Sequence, residues 1–405
     1  MMATMIRRLI AALTVLAAPA AAEVYVPPPP ATVVVGFDRE TITPLIVEGL
    51  ANLDTERPVE ANDPVRIASI SKLIMALTAL RLADEGKVDL DRDVSDYLGW
   101  RLRSPLHPDA PVTLAHLLSH RAGLSDKAGY VVPLGESLEA KLADPAVWRD
   151  AGKPGEAAFE YANLGSPLVA TALEAASGER YDRLVERLVF KPLGVKACLN
   201  WIGCDAEMKA RKVTLYRHTG EVAADGLDRL PPACTIPLAE GQACDLESYA
   251  PGTNASIFSP QGGVRIGMVD LAKIGQALLR LDENHFFSDT AMRRWFGEMA
   301  SAAHQHEPGA IAVDFCAYGL AAYTLVDESP CTDDLFGDGF GRIGHGGEAY
   351  GLRSGLWLSF EDATSFAYFT TAVPPPTGEV ETAASDPRET GLMRRALRMV
   401  GERGE

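Results

Sequence analysis

The sequence predicts an α/β (α+β) fold in which strands from both chain ends complete one layer around a helical insertion. Three observations carry this expectation. Two β-type runs stand near the start, at Thr32 to Phe37 and Thr43 to Leu50. Strand character returns near the end, at Arg353 to Phe360 and Ser365 to Ala372. Between them the pattern is mainly helical, broken by Gly/Pro turns. No low-complexity linker divides the interior, so residues 23–405 read as one unit. Its α/β part is expected at about 31–86 and 282–405, and its helical part at about 87–281.

In chain order, the first segment has the form of an export signal. Met1 to Arg8 is short and basic, Leu9 to Ala18 is apolar, and Ala20-x-Ala22 is a cleavage-type end. Residues 1–22 therefore read as a signal peptide, and the apolar run is too short to cross a bilayer. No later segment is long and apolar enough for a membrane span. The mature chain is expected to be secreted across the inner membrane into the periplasm. Its six cysteines suit that oxidising compartment. They fall in three sequence-local pairs, Cys198–Cys204, Cys234–Cys244 and Cys316–Cys331, the preferred of 15 possible connectivities. No C-x-x-C spacing points to zinc.

The tetraproline Pro27 to Pro30 reads as an extended leader to the first two strands, which look like neighbours. Val65 to Ala68 then leads into good helix formers from Ser69 to Glu85, and Gly86 is a natural stop. Further helices are expected at Leu114 to His120, Leu164 to Ala176, Met268 to Leu281 and about Asp386 to Val400.

The formal charge is -17, and losing Arg7 and Arg8 with the leader leaves 36 basic against 55 acidic residues, or -19. Such a surface repels nucleic acid and anionic membranes. The expected partner is a small-molecule or peptide substrate.

Ser69-x-x-Lys72 is the first chemical candidate. A serine hydroxyl is a weak nucleophile until a base takes its proton. Residues i and i+3 share a helix face, so the Lys72 amine can reach Ser69, and the helix N-terminus favours negative charge there. The spacing alone arises by chance about once in 400 residues. Ser71, with no lysine three residues on, should point elsewhere. Tyr161-x-Asn163 is the second candidate. A tyrosine can relay protons if nearby cations lower its pKa, and the Asn163 amide can hold both Lys72 and a substrate carbonyl. A helix N-cap is the plainer reading of Asn163. The third element has two candidates, His345-Gly346-Gly347 and His218-Thr219-Gly220. A glycine-rich strand edge favours His345, and His218 reads more simply as a hairpin turn.

Other patterns carry less. Asp89-x-Asp91-x-Asp93 lacks the glycine and closing glutamate of a calcium loop and reads as a solvated acidic turn. His116 and His120 have zinc-pair spacing but no intervening catalytic glutamate. His304-x-His306 has no obvious third ligand. No Gly-x-Ser-x-Gly elbow is present.

Together these motifs make the chain resemble the β-lactamase-related serine hydrolases, which include class C β-lactamases, DD-carboxypeptidases, D-aminopeptidases and esterases of the same β-lactamase/transpeptidase-like fold. The similarity runs through Pro64-Val-Arg-Ile-Ala-Ser69-Ile-Ser-Lys72, Val112 to Leu124, Tyr161-Ala-Asn163, Lys191-Pro-Leu-Gly194, Ser259-Pro-Gln-Gly-Gly263 and Gly344-His345-Gly346-Gly347. It implies an antiparallel sheet flanked by helices, an all-helical region, a cleft between them, and acyl-enzyme chemistry without metal or cofactor. It also implies that Ser69 attacks a carbonyl while Lys72 and Tyr161 shuttle the proton and Asn163 and His345 orient the substrate. The backbone N–H groups of Ser69 and Glu348 would form the oxyanion hole. Class C β-lactamases usually carry Lys-Thr-Gly as the third motif, whereas His345-Gly-Gly is closer to DD-carboxypeptidases and D-aminopeptidases. Histidine, neutral or charged near pH 7, holds a carboxylate less reliably than lysine. The leading expectation is a D-amino-acid or peptidoglycan-related peptidase or amidase. An esterase or weak β-lactamase comes next, then a penicillin-binding sensor that acylates without turnover.

Overall fold

Every residue of the strand Thr32–Phe37 is buried, as a β-branched run should be in a strand covered on both faces. It pairs antiparallel with Ile42–Glu48 on one side and Ser365–Thr370 on the other. The computed structural model describes residues 31–223, 234, 236–302, 317–328, 331–332, 335–361, 364–374 and 387–404. Among them, one antiparallel sheet runs in the order Ile42–Glu48, Thr32–Phe37, Ser365–Thr370, Leu352–Leu358, Arg342–Ala349, Ala322–Leu325, Tyr318–Gly319. Both chain ends thus build one layer. The expected signal peptide, the tetraproline, Cys316 of the third expected cysteine pair and His304-x-His306 lie outside the described residues.

Side chains alternate across this sheet with the period of two that a pleated strand imposes. Val33, Val35, Phe37, Leu356, Ala367 and Phe369 join the core shared with the helices Ile70–Asp84 and Met268–Leu279. Val34, Trp357, Phe366 and Tyr368 face the other way, onto Met393 and Ala396 of the closing helix Pro387–Gly404. Met268–Leu279 lies so close to the sheet that a Cβ at Gly275 would sit 2.4 Å from Phe37 Cζ. That helix therefore packs on the strands.

The helix Ile70–Asp84 is buried at twelve of its positions, so it is a core helix without a solvent stripe. The segment before it is pinned by a second, three-stranded sheet, in which Val264–Ile266 pairs with both Val65–Arg66 and Ala197–Leu199. Cys198–Cys204 closes the loop beside that sheet, and Cys234–Cys244 closes the next, with Cα separations of 5.3 and 5.9 Å. The helix expected at Leu114 to His120 is shorter than its pattern. Thr113 and His116 cap it reciprocally, it spans Leu114–Leu118, and His120 turns out of it with φ +54°. His116 and His120 therefore share no helix face. Asp91 and Asp93 are paired with Arg294 and Arg103. Among the described residues no helix is long and apolar enough to cross a membrane.

Candidate active site

The approach to Ser69 is held in an uncommon backbone conformation. Ala68 has φ +46°, a region that costs an L residue roughly 1–3 kcal/mol. The Arg342–Ala349 strand leans directly on this point. A Cβ at Gly347 would lie 2.4 Å from the Ile67 carbonyl oxygen and 3.3 Å from Ala68 Cβ, so only glycine allows the strand this close. Ser69 has helical angles, and its hydroxyl makes no capping bond to the helix that follows. Instead it shares a hydrogen bond with the Tyr161 phenol. It also faces Lys72 Nζ at 3.3 Å. Ser71 points elsewhere, its hydroxyl accepting from the Val264 N–H at 3.0 Å.

Lys72 is 1% exposed. Burial pushes its ammonium down to about 7, against the upward pull of the Asp126 carboxylate. Two of its neighbours can only accept: Asn163 Oδ1 at 2.8 Å and the Gln261 carbonyl at 3.2 Å. A neutral amine has two N–H groups and one lone pair. With both hydrogens spent on those oxygens, the lone pair is left for the Ser69 O–H. The orientation of Asn163 is fixed by Asp126, whose Oδ2 accepts both its side-chain N–H at 2.9 Å and its backbone N–H at 2.8 Å. Asp126 Oδ1 takes the Leu164 N–H at 3.0 Å. Leu164 is the N-cap residue of the helix Gly165–Ser177, so Asn163 is not its cap. Asp126 was not foreseen, since no spacing ties it to a motif 37 residues away.

Tyr161 does not meet the condition set for it, a phenol pKa lowered by nearby cations. Burial pushes its phenol above the ordinary range, and the Ser69 hydrogen bond only partly offsets this. The Lys72 amine lies over the Tyr161 ring, 4.5 Å from its centroid. These shifts make the Lys72 amine available near pH 7 and keep Tyr161 a neutral phenol. His345 takes the neutral one of the two states expected for it. It is 1% exposed, and burial, helped by Lys72, pushes its imidazole down to about 3. It is neutral near pH 7 and offers no cation to a substrate carboxylate.

Two cavities meet at Ser69. The smaller, about 170 Å³, is lined by Tyr161, His345, Gly346, Gly347 and Trp357 among others, and the larger, about 420 Å³, by Arg66, Tyr130, Asn163 and Gln261 among others. Ser69 and Glu348 are the residues that the two share. A carbonyl at their junction would lie beside the two residues whose backbone N–H groups are expected to form the oxyanion hole. His218 lines neither cavity. It sits in a turn closed by Gly220 N–H to Arg217 O at 2.8 Å.

Comparison with known proteins identifies the family of this fold. The family model described as Beta-lactamase matches residues 22–386. The D-alanyl-D-alanine-carboxypeptidase/endopeptidase AmpH of Escherichia coli (strain K12) is 33% identical over 140 residues, 33% of this chain and 35% of that protein. Esterase EstB of Burkholderia gladioli is 28% identical over 226 residues, 53% of this chain and 55% of the esterase. The chain thus spans about a third to about half the length of these curated relatives. The D-amino acid amidase of Ochrobactrum anthropi SV3 superposes with a TM-score of 0.64 at 17% identity, over 93% of this chain and 94% of that one, a likeness of fold.

Proposed function

The chain belongs to the beta-lactamase family of serine hydrolases, and on that premise we propose that it is an exported enzyme forming an acyl-enzyme on Ser69. The substrate class proposed is D-amino-acid or peptidoglycan-related peptides and amides. The observation that carries the chemistry is the Lys72 amine, buried, held near neutrality, and left with one lone pair toward Ser69 Oγ at 3.3 Å. In acylation the Ser69 proton passes to Lys72 Nζ as Oγ bonds to the substrate carbonyl carbon. The carbonyl oxygen is received between the N–H groups of Ser69 and Glu348. Collapse breaks the bond to the leaving amine, which takes the proton. Water then enters, gives a proton to Lys72 and attacks the ester carbon; collapse breaks the bond to Ser69 Oγ, which takes that proton from Lys72 as the acid product departs. Tyr161, hydrogen-bonded to Ser69, holds the hydroxyl in line, and Asn163 orients both Lys72 and the substrate.

Three findings support the amide substrate over an efficient β-lactamase role. His345 stands neutral and buried where class C enzymes usually place a lysine. One relative is named as a D-alanyl-D-alanine carboxypeptidase. A structural neighbour is a D-amino acid amidase. Export is supported by the two disulfides within the described residues. An esterase is the second reading, favoured by the EstB similarity and by the aromatic lining of the smaller cavity. A panel of D-alanyl peptides, D-amino-acid amides, p-nitrophenyl esters and nitrocefin separates these. The highest kcat/KM should fall on the D-peptides or D-amides. Highest turnover on esters would replace the amide reading, and a stable penicillin adduct without turnover would replace both.

A further inference from the structure

Tyr318, on a two-residue strand at the end of the main sheet, stands between two buried histidines. Its hydroxyl is 3.2 Å from His120 Nε2 and 3.2 Å from His345 Nε2. The outer ring nitrogens set the direction of both bonds. The Ala162 N–H donates to His120 Nδ1 at 3.2 Å. That nitrogen is therefore an acceptor, and the neutral ring carries its proton on Nε2. The Gly346 carbonyl can only accept, so His345 Nδ1, 2.5 Å from it, carries the proton and leaves Nε2 as an acceptor. Burial holds both rings neutral, well below the ordinary histidine range. His120 therefore donates to Tyr318, and Tyr318 donates to His345.

The result is a run of four hydrogen bonds pointing one way, from Ala162 N–H to Gly346 C=O. Each end is backbone of a motif beside Ser69. Ala162 lies between Tyr161 and Asn163, and Gly346 precedes Gly347 and Glu348. The rings also brace Tyr161, His120 at 4.5 Å between centroids and Tyr318 edge-on at 6.1 Å.

We propose that Tyr318 is a positioning residue for acyl transfer, which by accepting from His120 and donating to His345 holds the Tyr161–Asn163 loop and the Gly346–Glu348 strand edge at one spacing around Ser69. A hydroxyl suits this place because it donates and accepts at once, whereas a phenyl ring keeps the packing and severs both bonds. The role rests on Ser69 being the acylated residue.

The test uses the full chain and two readouts. Ring ¹⁵N–¹H NMR of the wild type should show His120 protonated on Nε2 and His345 on Nδ1 between pH 6 and 8. Tyr318→Phe should lower the rate at which a fluorophosphonate probe labels Ser69, and kcat for p-nitrophenyl acetate, by about tenfold to a hundredfold, with KM within about threefold. An Nε2 proton on His345 overturns the proposal, whether or not the Phe variant folds. Labelling of a folded Phe variant within twofold of wild type also overturns it. If the wild type is not labelled at Ser69 at all, the reading of Ser69 fails, and the tautomers still test the relay.

Discussion

Asp126 accepts the Asn163 side-chain amide at 2.9 Å, and that bond decides which end of Asn163 meets Lys72. With the amide nitrogen committed to the carboxylate, Oδ1 is the atom left facing the amine at 2.8 Å. Asp126 also raises the lysine pKa through its charge. One carboxylate thus both aims the amide and limits how far burial depresses the base.

Replacing it separates those effects. Asp126→Ala should lower kcat/KM by about tenfold to a hundredfold, because Asn163 is free to turn. It should also move the acid limb of the pH profile to lower pH, since the influence that raises Lys72 is gone. An unchanged limb would show that the titrating group is not Lys72.

In the proposed mechanism the active form of Lys72 is the neutral amine. Its pKa is lowered to about 7, so it is protonated and inactive below that pH. The amine becomes available as pH rises through about 7, some three units earlier than for a solvated lysine. A profile of kcat/KM from pH 5 to 10 should therefore climb through a single acid limb near 7. A limb near 10 would mean that the amine stays charged.

Tyr161→Phe distinguishes a phenol that positions Ser69 from one that acts as base. Loss of the hydroxyl bonded to Ser69 should reduce kcat by about a hundredfold. The acid limb should stay near 7, because Lys72 titrates and Tyr161 does not. Disappearance of the limb in this variant would assign the proton to Tyr161.

Gly347→Ala tests the close approach of the strand. The new Cβ would meet the Ile67 carbonyl oxygen and Ser354 Oγ, each at 2.4 Å, and both are fixed in the core. The strand must retreat, carrying the Glu348 N–H with it. A drop of about 10²–10³ in kcat is expected, the usual cost of one oxyanion donor. Activity within tenfold of wild type would remove Glu348 from that role.

Much of the fold was legible because its signals are local. Thr32 to Phe37 is a short β-branched run that reads as a strand beside the next one, and Ser69 with Lys72 needs one helical turn. Legibility ended where partners come from distant segments. Asp126 lies two residues past the matched stretch ending at Leu124, and nothing in its surroundings marks it as an acceptor for Asn163. Tyr318 belongs to no motif in sequence and meets His345 because the strands Tyr318–Gly319, Ala322–Leu325 and Arg342–Ala349 pair in turn. His120 was weighed as half of a helical pair, but the helix stops at Leu118 and the backbone turns the ring toward Tyr318. The pKa directions of Tyr161 and His345 follow from burial, which only the folded chain supplies.

The central claim is that Ser69 carries the acyl group. Acid quench of the enzyme during turnover of a p-nitrophenyl ester, followed by intact mass and peptide mapping, tests it directly. One acyl group should be found on Ser69, with none on a Ser69→Ala variant that has lost turnover. An acyl group on another residue, or full hydrolysis by Ser69→Ala, would contradict it.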